Sequence, residues 1–207
     1  MGLAETLIHT DNIIATVSTL SGVLYTILAG KGWLFCYLFG MASSVLYGYL
    51  SYKNGLYGNS LLNWGYYFPI YIVGFFQWKK HLKPKTSIIK KTKLSSKERT
   101  IVFLLTTLLF FVSALGLKIF GDSSPFYDSF TTVFSVAGMY LTVRRAIEQW
   151  FIWMGVNFVA VLMWCKAIYN GSHAYSTVIM WGIYFILAIY FYIEWRKELH
   201  MTDARVD

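Results

Sequence analysis

The stretch EQWFIWMGVN, residues 148–157, lies inside an apolar run long enough to cross a bilayer, yet it carries Glu148, Gln149, two tryptophans and an asparagine. On a helix Trp150, Trp153 and Asn157 stand at i, i+3 and i+7 and share one face, which Trp164 extends. Such a set performs recognition rather than bond-making. Indole faces attract flat, delocalised cations, and an amide exchanges hydrogen bonds with hydroxyls. An unpaired amide in hydrocarbon is costly, so Asn157 must meet either a partner helix or a wet cavity. A second polar face runs through Asn63, Tyr67 and Tyr71, at i, i+4 and i+8. Tyr184, the counterpart of Tyr67 in the internal repeat described below, completes the candidate substrate-binding set.

Groups that make or break bonds are sparse in the apolar runs. No Asp, Glu, Lys or Arg lies near the middle of any of them, and His9, His81, His173 and His200 sit in ends or loops. Cys36 and Cys165 have no metal-ligand spacing and read as small buried hydrophobes. With no nucleophile–base pair and no phosphate-binding loop, neither an enzyme nor a cofactor or metal is expected.

The elements that must position these residues are membrane helices. The 207 residues are 57% hydrophobic and only 14% charged, where soluble domains average about 25%. Apolar windows of bilayer length fall at 12–30, 32–52, 60–78, 101–120, 126–143, 149–169 and 174–195. The start, MGLAETLIHTDN, lacks a basic region and is not expected to be a cleaved signal peptide.

Shifting the chain by 117 residues aligns Trp33 with Trp150, Trp64-Gly65 with Trp181-Gly182, Tyr67-Phe68 with Tyr184-Phe185, and Trp78 with Trp195. Ungapped, this pairs 33–82 with 150–199, Cys36 with Trp153 and Gly40 with Asn157. The predicted architecture is an all-α polytopic membrane protein with seven transmembrane helices. Two parallel three-helix repeats joined by a linker helix give a SWEET-like 3+1+3 arrangement. Its parts are an N-terminal bundle (1–82), a basic loop and linker helix (83–122), and a C-terminal bundle with a short tail (123–207). Two similar bundles suit a transporter, whose central pathway can open alternately to each side.

Charge sets the orientation. With the N-terminus outside, 15 of the 18 Lys and Arg fall inside, nine of them in the loop 79–100. The net charge of +8 therefore reads as topology against a lipid bilayer, not as a nucleic-acid site. Trp78 and Trp195, beside basic residues at helix ends, read as interfacial anchors. Ser18 and Ser21, with Thr131, Ser135, Gly138 and Thr142, read as small-residue packing seams. Pro69 is expected to bend the third span and shape the cavity.

The segments YGNSLLNWGYYFPIYIVGFFQW (57–78), SPFYDSFTTVFSVAGMYLTVRRAIEQWFIWMGVN (124–157) and GIYFILAIYFYIEWRKEL (182–199) resemble the PnuC family of bacterial vitamin transporters. The resemblance implies a multi-pass protein of the inner membrane that moves nicotinamide riboside by facilitated diffusion, with trapping by a cytoplasmic kinase. It also implies that Trp150, Trp153 and Asn157 match the substrate-lining motif and that Asn63 lies in the matching part of the third span. The chain departs from the pattern at Val156 and Tyr71. Sister branches resemble thiamine carriers, and thiamine is also a cationic ring with a hydroxyl tail, so the residues leave both vitamins open. A homo-oligomer is compatible with the chain, and a membrane receptor or scaffold that moves nothing is the alternative from another class.

Overall fold

The computed structural model describes residues 3–53, 57–122, 124–171 and 175–203. Among them are seven helices and three isolated β-bridges. They are α1 (Leu3–Lys31), α2 (Cys36–Lys53), α3 (57–79), α4 (Ser96–Ile119), α5 (Pro125–Val143), α6 (Gln149–Tyr169) and α7 (Tyr175–Asp203). Four stretches, Asp11–Lys31, Ser96–Ile119, Gln149–Tyr169 and Thr177–Met201, are long and apolar enough to cross a membrane. Hydrocarbon offers backbone groups no partners, so such runs must satisfy their own hydrogen bonds as helices. Local chemistry sets several helix starts. Ser95 and Glu98 form a reciprocal capping box at α4, and Pro125 opens α5, where a missing N–H costs nothing.

Contacts divide the chain into two compact units, 1–90 and 91–207. In the first, α1 packs on α2, and Ser18 and Ser43 donate hydroxyl hydrogen bonds to each other's carbonyls at 3.1 and 2.9 Å. That is the packing seam expected at Ser18. In the second, α4 packs on α5, α5 on α6 and α6 on α7. The Ser129 hydroxyl, fully buried, donates to Phe110 O at 2.8 Å to tie α5 to α4.

The internal repeat is present but its register is corrected. In the turn between α1 and α2, Gly32 N–H donates to Ala29 O, Trp33 N–H to Leu28 O and Tyr37 N–H to Leu34 O. Between α5 and α6 the same bonds run from Arg145 to Thr142, Ala146 to Leu141 and Trp150 to Ile147. This equivalence is a shift of 113, whereas Trp78 and Trp195 keep the shift of 117. The third helix of each repeat therefore follows a connection four residues longer in the second. Tyr37, not Trp33, is the counterpart of Trp150, Gly40 that of Trp153 and Ser44 that of Asn157. An ungapped alignment could not see this, because the extra residues sit at helix ends, where the side-chain pattern carries no constraint. The turn itself requires a left-handed residue: Gly32 at φ 73° in one repeat, Arg145 at φ 60° in the other.

Pro69 does not act through a simple bend. α3 is three consecutive pieces, Tyr57–Leu61, a π-helical Leu62–Tyr67, and Phe68–Lys79 with Pro69 in its first turn. The Phe68 N–H reaches back five residues to Asn63 O. Proline lacks the N–H and clashes with the carbonyl four residues back, and the wider turn before it accommodates both defects. No proline stands at the equivalent Ile186, and α7 is α-helical throughout.

The anchor reading of Trp78 and Trp195 is also overturned. Both are 0% exposed. Trp78 meets Tyr37 edge to face at 4.9 Å and 81°, and Trp195 meets Trp150 at 5.6 Å and 82°, the same pair repeated. Trp33, 44% exposed with Lys31 Nζ 6.0 Å from its ring centre, is placed as a belt residue would be.

Candidate functional site

Glu148 and Gln149 of the opening motif are structural. Both Glu148 carboxylate oxygens accept from Leu94 N–H at 3.2 Å, and Oε1 lies 3.4 Å from Arg99 Nε. The buried Gln149 amide donates to Ala146 O at 3.1 Å, closing the turn that precedes α6. Thr92 completes this end of the unit, donating to Arg145 O and accepting from Ile147 N–H. Arg144, at the same turn, reaches Glu98 at 2.8 Å, and that carboxylate holds the guanidinium pKa above its ordinary value. In the first unit Ser87 and Ile89 bond the α1–α2 turn the same way, through Leu34 N–H and Gly32 O. The basic loop is thus more than topology: it lies as a strap across each turn.

From Trp150 onward α6 turns Trp150, Trp153 and Asn157 inward. At about 100° per residue, Trp153 stands roughly 60° to one side of Trp150, with Asn157 between them two turns along. Trp150, 3% exposed, faces α7, stacking near Phe191 at 5.5 Å and against Trp195. Trp153 faces α5. Its Nε1 donates to Thr142 Oγ1 at 3.2 Å, and its ring lies over Gly138, where a Cβ would come within 3.0 Å. The Thr142 hydroxyl in turn donates a hydrogen bond to Gly138 O at 2.8 Å.

Two polar groups on this face have no partner among the described residues. The Trp150 Nε1–H is buried and unbonded. The Asn157 amide, 5% exposed, makes no side-chain hydrogen bond. Burying a polar group without compensation costs about 1–3 kcal/mol, so the Trp150 Nε1–H is left able to donate a bond to a guest, and the Asn157 amide on the same face can exchange bonds with one. Neither a charge nor a metal-binding cluster of His, Cys, Asp or Glu lies among them; no such cluster exists among the described residues.

Trp164 is half-buried on the same face with no ring contact among the described residues, and Tyr184 pairs edge-on with Trp181 at 5.9 Å. In the first unit Asn63, 9% exposed, sits in the π-helical turn. Tyr67 stacks on Tyr71 at 6.2 Å, and Tyr71 meets Tyr25 at 5.0 Å. The rings of Tyr25 and Tyr71 close over Gly40, where a Cβ would stand 3.0 and 2.9 Å from them. The repeats thus trade sizes: Tyr25 and Gly40 in one correspond to Gly138 and Trp153 in the other.

Sequence reasoning missed Tyr25, Tyr37, Gly138, Thr142 and Phe191 as neighbours of these faces. Gly138 and Thr142 are one turn apart, and that spacing was a visible signal for a flat ring. It was absorbed into a packing seam.

These features define a class: a two-unit helical membrane protein whose second unit presents an uncharged face of indoles and an amide. Residues 12–197 match the profile of the nicotinamide mononucleotide transporter family, and the chain belongs to that family. It is 32% identical to the "Nicotinamide riboside transporter PnuC" of Neisseria mucosa, over 90% of this chain and 73% of that one. The protein of the same description from Haemophilus influenzae is 30% identical, over 93% and 83%. The solved structure described as "Crystal structure of the Vitamin B3 transporter PnuC" superposes with a TM-score of 0.76 at 31% identity, covering 94% of this chain and 85% of that one.

Proposed function

We propose that this protein carries nicotinamide riboside across the bacterial inner membrane by facilitated diffusion, and that a cytoplasmic kinase traps the product. The observation that carries the reading is the buried, unbonded Trp150 Nε1–H on the helix face that also holds Trp153 and Asn157. A positively charged pyridinium ring suits the indole faces, and ribose hydroxyls suit the amide and the unbonded Trp150 Nε1–H. The named relatives are riboside transporters, in line with that chemistry. The family description instead names the mononucleotide, which adds a phosphate. A phosphate wants unengaged Arg or Lys, and in the second unit Arg144 pairs with Glu98 and Lys91 with Glu198.

In this reading the seven helices all span the bilayer in a 3+1+3, SWEET-like order, with the N-terminus outside and the strap in the cytoplasm. The repeated turn geometry and the distribution of basic residues support both. Trp150, Trp153 and Asn157 line the substrate, and Asn63, Tyr67 and Tyr71 provide the first repeat's contribution. Trp164 and Tyr184 extend the second repeat's contribution.

Calorimetric titration of the purified protein with nicotinamide riboside, nicotinamide mononucleotide and thiamine tests the assignment. The riboside is expected to bind, with the mononucleotide weaker by about thirtyfold or more, because its phosphate would give up its hydration at an uncharged face of α6. Thiamine binding more tightly than the riboside would overturn the substrate.

A further inference from the structure

Lys91 is a residue of the basic loop that membrane topology alone does not explain. A lysine that serves only to hold a loop on one side of a membrane leaves its ammonium in water. The Lys91 side chain is instead 6% exposed, with Nζ 2.6 Å from Glu198 Oε2 and 4.9 Å above the ring of Trp195. Trp195 is itself fully buried and stands edge to face with Trp150. Withdrawing an ammonium from water is costly unless a carboxylate and an aromatic face replace the lost solvation. Here both do, and they come from the last turns of α7, three residues apart.

The result is a chain of contacts: carboxylate, ammonium, indole, indole. It ends at the buried Trp150, whose Nε1–H has no partner. Once the cation sits on one face of Trp195, that ring cannot rotate without exposing the ammonium to the apolar interior. A fixed Trp195 fixes the ring that meets it at 82°.

We propose that Lys91 is a positioning residue for transport: held between Glu198 and the face of Trp195, it sets the plane in which Trp150 meets the ligand. The proposal rests on Trp150 belonging to the substrate site, and the test separates the two. Nicotinamide riboside affinity is measured by calorimetry for the wild type, Lys91→Met, Lys91→Arg, Glu198→Gln, Trp150→Phe and the Lys91→Met/Trp150→Phe pair. Lys91→Met is expected to weaken binding about tenfold, and Lys91→Arg, which keeps charge and stacking, by less than about twofold. In the Trp150→Phe background, Lys91→Met should add less than about twofold, because its effect travels through Trp150. If Lys91→Met does not fold, Glu198→Gln carries the same expectation at about threefold, again vanishing with Trp150→Phe. Unchanged affinity in Lys91→Met, or an equal loss with and without the Trp150 indole, would overturn the proposal while leaving the site intact. Wild-type affinity in Trp150→Phe would remove Trp150 from the site and the proposal with it.

Discussion

Asn157→Leu is expected to weaken nicotinamide riboside binding by about tenfold to a hundredfold while its melting temperature holds or rises. The two effects have one cause. Asn157 is 5% exposed and its side chain makes no hydrogen bond to another helix among the described residues, so it ties no two helices together. Leucine, of nearly the same volume, removes an unsatisfied polar group and fits an apolar surround. A residue used for packing would behave the other way, and losing an interhelical bond would lower stability. Calorimetry and thermal unfolding of the same detergent-solubilised sample read both quantities. A drop in melting temperature with affinity unchanged would return Asn157 to a structural role.

Gly74→Ala should damage the first bundle more than any comparable change. A Cβ there would stand 2.3 Å from Tyr37 Cε1 and 2.5 Å from its Cζ. Tyr37 cannot yield, because it is 0% exposed and lies edge to face with Trp78, which is also 0% exposed. Forcing a methyl into such a contact costs about 1–3 kcal/mol, occasionally more. An alanine ordinarily favours a helix over glycine by about 1 kcal/mol, so the sign of the effect is diagnostic. Gly116→Ala in α4 is the control, since a Cβ there meets nothing within 4 Å, and its melting temperature should hold or rise. The geometry of Tyr37 and Trp78 would be refuted if Gly74→Ala melted no lower than that control.

Much of this was legible in the residues, for physical reasons. Apolar runs bounded by charge and turn residues have one solution in hydrocarbon, so the expected spans and the seven helices agree to within a few residues at most ends. α1 and α7 extend further, because polar residues at a helix end carry no signal that stops it. The stripe from Trp150 to Asn157 follows from periodicity alone, and the amide between the indoles is where a pitch of about 3.6 residues puts it. What stayed hidden depends on partners from other helices. Nothing local says that Trp195 is buried, since a tryptophan beside Arg196 and Lys197 reads as a belt residue until Lys91 and Trp150 are seen to close on it. The repeat register failed because identities at Trp33 and Trp150 outweighed backbone bonds, which leave no trace in side-chain identity. Pro69 announced an irregularity but not its kind, since a bend and a widened turn both answer a missing N–H.

The central claim is that the protein moves nicotinamide riboside passively, and uptake of the labelled riboside into sealed proteoliposomes tests it most directly. The spans carry no midplane carboxylate on which a proton gradient could act, so uptake is expected to exceed that of protein-free vesicles and to stop at equal concentrations on both sides. Imposed sodium or proton gradients should leave that endpoint where it is, and only an enclosed kinase with its phosphoryl donor should carry label beyond it. Accumulation past equality, driven by an ion gradient with no trapping enzyme inside, would contradict the account.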